Sequence, residues 1–158
     1  MSQVSLTTAN GNLYISFKLE NGMPKKLEEL VQSGLQIRYV FNITLKKRGI
    51  FWNDELKSIK LSRSIRFDNL RNRYFLYFDY PTTRLISVDN LNKAKKFLFF
   101  VKNIKLVSLS RLEKNKKYTI EIKAKSEKDE SSVPFSKLVK IFSSFGFSSK
   151  TYEFEFTY

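Results

Sequence analysis

Apolar and polar residues alternate along most of this chain with the period of two that a half-buried β-strand imposes. Leu13, Ile15, Phe17 and Leu19 alternate with Tyr14, Ser16, Lys18 and Glu20. Ahead of them, Asn10-Gly11 separates this run from residues 4–8 and is a strong two-residue hairpin signal. The most regular run is Leu35, Ile37, Tyr39, Phe41, Ile43 and Leu45, set against Gln36, Arg38, Asn42, Thr44 and Lys46. At roughly 3.3 Å per residue it spans about 40 Å, enough to cross a sandwich from edge to edge. Further strands are expected at residues 59–67, 74–80, 84–88, 104–112, 118–124 and 151–158. In the first of these, Ile59, Leu61, Ile65 and Phe67 share a face that Arg63 interrupts. A cation there belongs either at a sheet rim or beside an acid.

In three places the period changes to that of a helix. Pro24 opens a segment with Leu27, Leu30 and Val31 on one stripe, and Gly34 ends it. Asp89 is the expected cap of a second helix reaching about Lys102, with Leu91, Ala94, Phe97, Leu98 and Val101 at helical spacing. Pro134 opens a third, with Phe135, Leu138, Val139, Phe142 and Phe145 inward and Gly146 as its stop. The strands are amphipathic rather than continuously apolar, which excludes a parallel sheet covered on both faces. The expected fold is therefore mainly β: an antiparallel two-layer β-sandwich of about 8–9 strands with three short helices. An α+β ferredoxin-like sheet with helices over one face is the alternative. With no internal repeat and no linker, the 158 residues are expected to form a single domain.

Charge adds an asymmetry. The net charge is +14, and between Arg38 and Lys125 there are 22 Lys/Arg against 7 Asp/Glu. Such a centre attracts anions: an anionic polymer or lipid surface, or nucleic acid. There is no cysteine, hence no disulfide and no thiolate chemistry. No apolar run is long enough to span a membrane. MSQVSLTT carries no charged region ahead of an apolar run, so no signal peptide is expected within it, and removal of a leader leaves the same kind of start.

One stretch carries a family resemblance. Leu19-Glu20-Asn21-Gly22-Met23-Pro24, the helix ending Ser33-Gly34-Leu35 and the strand to Lys47-Arg48 resemble the uncharacterised bacterial family called domain of unknown function 4390. Trp52 with Asp54, and Leu70-Arg71-Asn72-Arg73-Tyr74, sit where that family shows a W-x-D-like and an L-x-x-x-Y element. The resemblance runs from about Leu13 to Tyr80, and beyond it the order of elements alone is compatible. It implies export behind an N-terminal leader, and so a mature periplasmic or other cell-envelope domain. It transfers no activity and no catalytic residues.

The sequence offers little for catalysis. Without histidine or cysteine, the commonest general base and the usual zinc or copper ligands are missing. No G-x-S-x-G elbow, S-x-x-K pair or glycine-rich phosphate loop occurs. Glu28-Glu29, Asp54-Glu55 and Asp129-Glu130 read as solvated surface rather than as a paired-carboxylate site. No catalytic, cofactor or metal residue is therefore expected. The candidate surface for an anion or partner is Trp52, Arg63, Arg66, Arg71, Arg73, Lys93, Lys95 and Lys96. Two functions fit. The first is a non-catalytic extracytoplasmic domain that binds or scaffolds an envelope protein or polyanion. The second is a small basic cytoplasmic domain that binds nucleic acid by stacking bases on aromatics beside arginine. A hydrolase built from Asp, Glu and Ser alone would need a cleft with clustered carboxylates.

Overall fold

The Asn10-Gly11 pair forms the hairpin its sequence predicts. In a computed structural model, which describes residues 1–49, 53–128 and 146–158, both residues have positive φ, 49° and 70°. That is the condition for a two-residue turn whose twist matches its strands. It joins β1 (Ser2–Ala9) to β2 (Asn12–Lys18).

The chain then turns into α1 (Lys25–Gln32), whose Leu27, Leu30 and Val31 are buried as their spacing predicts. Gly34 ends the helix at φ +93°, with its N–H donating to the Val31 carbonyl and that of Leu35 to the Leu30 carbonyl. Those two bonds satisfy carbonyls the helix would otherwise leave orphaned. The long amphipathic run is β3 (Ile37–Lys47), followed by β4 (Asp54–Asp68), β5 (Arg73–Phe78) and β6 (Arg84–Val88). After α2 (Leu91–Phe99) come β7 (Phe100–Ser108), a 3-10 turn at Leu109–Arg111, β8 (Lys117–Lys128) and β9 (Tyr152–Thr157).

The strands form two antiparallel sheets, one in the order β1-β2-β7 and one in the order β6-β5-β4-β3-β8-β9. The architecture is sandwich-like and mainly β, not a ferredoxin-like sheet. Phe17 of the small sheet and Phe41 of the large one lie 6.0 Å apart, ring to ring, and both belong to one buried apolar cluster. That cluster takes the inward positions of β2, β3, β4, β5, β7 and β8, so the period-two pattern maps onto one core. The last strand is indeed paired, with Phe156 stacked on Tyr118 at 5.4 Å.

Several boundaries differ from expectation, those of the second helix and the strand after it most of all. The second helix is shorter than residues 89–102 and is capped by Asn90, whose Oδ1 accepts from the Lys93 N–H at 2.8 Å. Asp89 instead holds the Lys93 ammonium at 3.0 Å. At its other end Phe100 is already extended, because Phe100 and Val101 pair with Lys18 and Phe17 of β2. The following strand accordingly begins at Phe100 and stops at Ser108, not at Leu112. Its partner β2 runs out at Asn12, opposite Ser108, and the chain folds into the 3-10 turn beside Gly11. The expected helix from Pro134 lies outside the described residues.

Candidate anion-binding cleft

Arg63 falls in the apolar phase of β4, and the structure shows what holds it there. It is buried, and among the described residues it has neither a rim position nor an acid partner. Its Nη1 points instead at the end of α2, 2.7 Å from the Phe97 carbonyl, 3.2 Å from that of Leu98 and 2.9 Å from that of Phe100. A guanidinium at a helix C-terminus satisfies orphan carbonyls and meets the negative end of the helix dipole. Its Nε is buried without a hydrogen bond among the described residues. Burial, and after it the nearby Arg84 charge, hold the Arg63 pKa down to about 10 against the opposing pull of Asp79.

Arg63 belongs to a row that crosses four strands. Tyr39 faces Arg63, Arg63 faces Phe78, and Phe78 faces Arg84. Both guanidiniums lie against the Phe78 ring, Arg63 at 5.2 Å and Arg84 at 4.5 Å from its centroid. Nearby, the Lys102 ammonium sits 4.4 Å over Phe100. These contacts favour the cations, but they bring like charges together. Asp79, the acid that acts on Arg63, spends its carboxylate on the Ser62 N–H at 2.6 Å and the Ser62 hydroxyl at 2.8 Å.

The row ends in a cleft of about 370 Å³ between α2, the β5–β6 connection and the start of β7. Tyr80, Pro81, Phe97, Phe100 and Ile104 supply apolar walls. Arg63, Arg84, Lys96 and Lys102 supply positive charge, and no carboxylate is among the described lining residues. β6 and β7 are each the edge strand of their sheet, so the cleft occupies an open side of the sandwich. Phe97 is 47% exposed there, although its helical spacing predicts an inward position. The inward positions of α2 belong to Ala94, Leu98 and Phe99.

The expected basic surface is not one surface. Arg66 and Arg73 stand on the face of the large sheet away from the core, opposite in phase to buried Ile65 and Tyr74. Arg73 bonds Ser87 through its hydroxyl and carbonyl, and Arg71 pairs with Asp68 at 3.1 Å. Arg66 and Arg71 line a hollow of about 370 Å³ with Gln36, Ser64 and Tyr77. Lys93, Lys95 and Lys96 are across the sheet on α2. Lys93 is paired with Asp89 and Lys95 with Glu28 at 2.6 Å, whereas Lys96 lines the cleft and also a neighbouring hollow with Glu20 and Phe99. Trp52 lies outside the described residues. The cleft thus combines Arg63 and Lys96 with Arg84, Lys102 and Phe97, which the sequence does not mark as a group. The available signal was the Phe97-Leu98-Phe99-Phe100 run, four apolar residues where a helical stripe needs two or three.

Among the described residues no group of three or more acids is placed to hold a metal ion. No helix among them is long and apolar enough to cross a membrane. A family model described as Domain of unknown function (DUF4390) matches residues 1–155, well beyond the stretch that carries the resemblance in the sequence. No curated protein matches the chain, and no solved structure does.

Proposed function

The chain belongs to the DUF4390 family, and from that membership and its cleft we propose a non-catalytic, extracytoplasmic domain that binds an anionic component of the cell envelope. The observation that carries this reading is the cleft: four cations around apolar walls, with no carboxylate among the described lining residues. Binding sites are typically apolar hollows with a few convergent polar groups, and this one converges on a single sign of charge. The extracytoplasmic placement rests on the leader that the family resemblance implies. Scaffolding is compatible with the same geometry, because the cleft lies on an open edge that a larger assembly can reach. Nucleic acid is the weaker reading. Base stacking needs exposed aromatics along a basic groove; Phe97 and Tyr77 are both exposed, but they stand in separate hollows rather than along one tract.

Sedimentation with vesicles tests this. Vesicles containing phosphatidylglycerol are expected to carry down the full chain at physiological salt, and phosphatidylcholine vesicles are not. Single-stranded DNA should compete poorly. Association with DNA and vesicles alike that vanishes by physiological salt would reduce the charge to surface composition and overturn the reading.

A further inference from the structure

Resting on that reading, we propose that the cleft between α2, β6 and β7 takes a single-chain anionic lipid, its alkyl chain against Phe97, Phe100 and Ile104 and its headgroup among Arg84, Lys96 and Lys102. The cleft joins two chemistries that seldom meet without a ligand. Its walls are carbon, and an exposed Phe97 beside Tyr80 and Pro81 leaves apolar surface facing water. Its cations repel one another: Arg63 and Arg84 lie against the same ring, and Arg84 acts to discharge Arg63. An anion placed there relieves that repulsion, and an alkyl chain covers the walls. A ligand with only one of these parts satisfies only half of the site.

The same observations set aside the other occupants. An extended polyanion would be held by cations along a track, but Arg66 and Arg73 stand on the opposite face of the large sheet from Lys96 and the cleft. A peptide would add to the open edge of β6 or β7 by backbone pairing, which uses neither the apolar walls nor the clustered cations of the cleft. The volume, about 370 Å³, lies at the small end of the ligand-cavity range. That suits one alkyl chain and not the two of a diacyl lipid, which at a vesicle surface would meet the cleft with its headgroup alone. The ligand is therefore a membrane lipid with one chain and a phosphate or carboxylate head.

The test is titration of the full chain with dodecyl phosphate below its micelle concentration, followed by calorimetry and thermal shift. Saturation at one equivalent is expected, with a rise in Tm and affinity at least tenfold above that for dodecyl maltoside. Inorganic phosphate alone should give no shift. Arg84→Gln should weaken dodecyl phosphate at least tenfold without lowering the Tm of the free protein, because it removes one of two repelling cations. Phe97→Ser should weaken the neutral and anionic amphiphiles alike, and Arg73→Gln, on the far face, should change nothing. Equal affinity for dodecyl maltoside, equal response to inorganic phosphate, or indifference to both Arg84→Gln and Phe97→Ser overturns the inference. Vesicle binding without uptake of dodecyl phosphate would sink this proposal and leave the envelope reading standing. Uptake of dodecyl phosphate without vesicle binding would sink the envelope reading and leave the cleft as a site for a free single-chain amphiphile.

Discussion

Tyr39 and Arg63 face each other across the β3–β4 ladder, and each carries a buried polar atom without a hydrogen-bond partner among the described residues, the Tyr39 hydroxyl and the Arg63 Nε. Most buried polar groups in folded proteins are paired, so two unpaired ones in adjacent positions mark a costly place in the core. The row continues through Phe78 to Arg84 and the cleft. The least satisfied part of the large sheet therefore leads directly to the candidate site. Proteins commonly tolerate such cost where a site needs it.

Removing the Tyr39 hydroxyl should stabilise the fold. Tyr39→Phe keeps the edge-to-face contact with Phe99, now at 5.1 Å and 89°, and removes a group that burial alone pushes up in pKa. A gain of about 1 kcal/mol at neutral pH is expected, from the desolvation cost of an unpaired hydroxyl. The sign at high pH follows. A tyrosine whose folded pKa is raised binds its proton more tightly folded than unfolded, so stability is lost as pH climbs above the ordinary value of 10.0. The difference between wild type and Tyr39→Phe in urea midpoint should therefore shift further in favour of the variant above that pH. A variant less stable than wild type would show that the hydroxyl has a partner.

Arg63 should prove structural before it proves anything else. Arg63→Met keeps the bulk but orphans the carbonyls of Phe97, Leu98 and Phe100, at a cost of about 1–3 kcal/mol. Arg63→Lys should lose less, since an ammonium can still donate several bonds. Chemical denaturation with unchanged m-value measures both. If Arg63→Met were as stable as wild type, the guanidinium would not be what closes α2.

The stop of α1 depends on Gly34. An alanine there must adopt φ near +93°, with its Cβ 3.3 Å from the Asn69 side chain. Gly34→Ala should lower stability by about 1–2 kcal/mol, read from the denaturation midpoint. An unchanged midpoint would mean that the turn can rearrange.

Asp68 gives an acid-side prediction. Its Oδ1 accepts from the Leu70 and Arg71 N–H groups, each at 3.0 Å, and Oδ2 from the Arg71 guanidinium at 3.1 Å. The Arg71 backbone bond is the largest influence holding its pKa down. A carboxylate with a lowered folded pKa contributes stability that is present above its ordinary value of 3.8 and lost as pH falls through the folded value. Asp68→Asn should flatten the stability profile below that point, measured as Tm against pH. A profile with unchanged slope would remove Asp68 from the account.

The fold was legible wherever one periodicity ruled. β2, β3 and β5 bury the alternating residues their sequences mark, and α1 ends at its glycine, because local pattern and tertiary burial agree there. The boundary between α2 and β7 was not legible. Phe97 to Val101 satisfies a helix and a strand equally well, and pairing of Phe100 and Val101 with β2 decides between them. The site suffered from the same ambiguity. Once Phe100 becomes strand, Phe97 turns outward and Lys102 comes to lie over Phe100, placements that depend on the pairing rather than on spacing. Arg63 was marked correctly as an anomaly, but a helix end as its partner is information from another part of the chain. The remaining basic residues stand on different elements, because sequence counts charge without assigning it to a face. Arg66 and Arg73 stand on the sheet face away from the core and the lysines on α2, although the Arg73 charge still reaches Asp89, the partner of Lys93.

The cleft, not the overall charge, is expected to bind the anion. Two double variants of the full chain, Lys96→Glu with Lys102→Glu and Arg66→Glu with Arg73→Glu, remove the same charge from opposite faces of the large sheet. Sedimentation with phosphatidylglycerol vesicles at physiological salt compares them directly. The cleft pair should abolish binding, while the outer pair retains most of it. Equal losses, or a greater loss from the outer pair, would contradict the claim and leave the positive charge without a site.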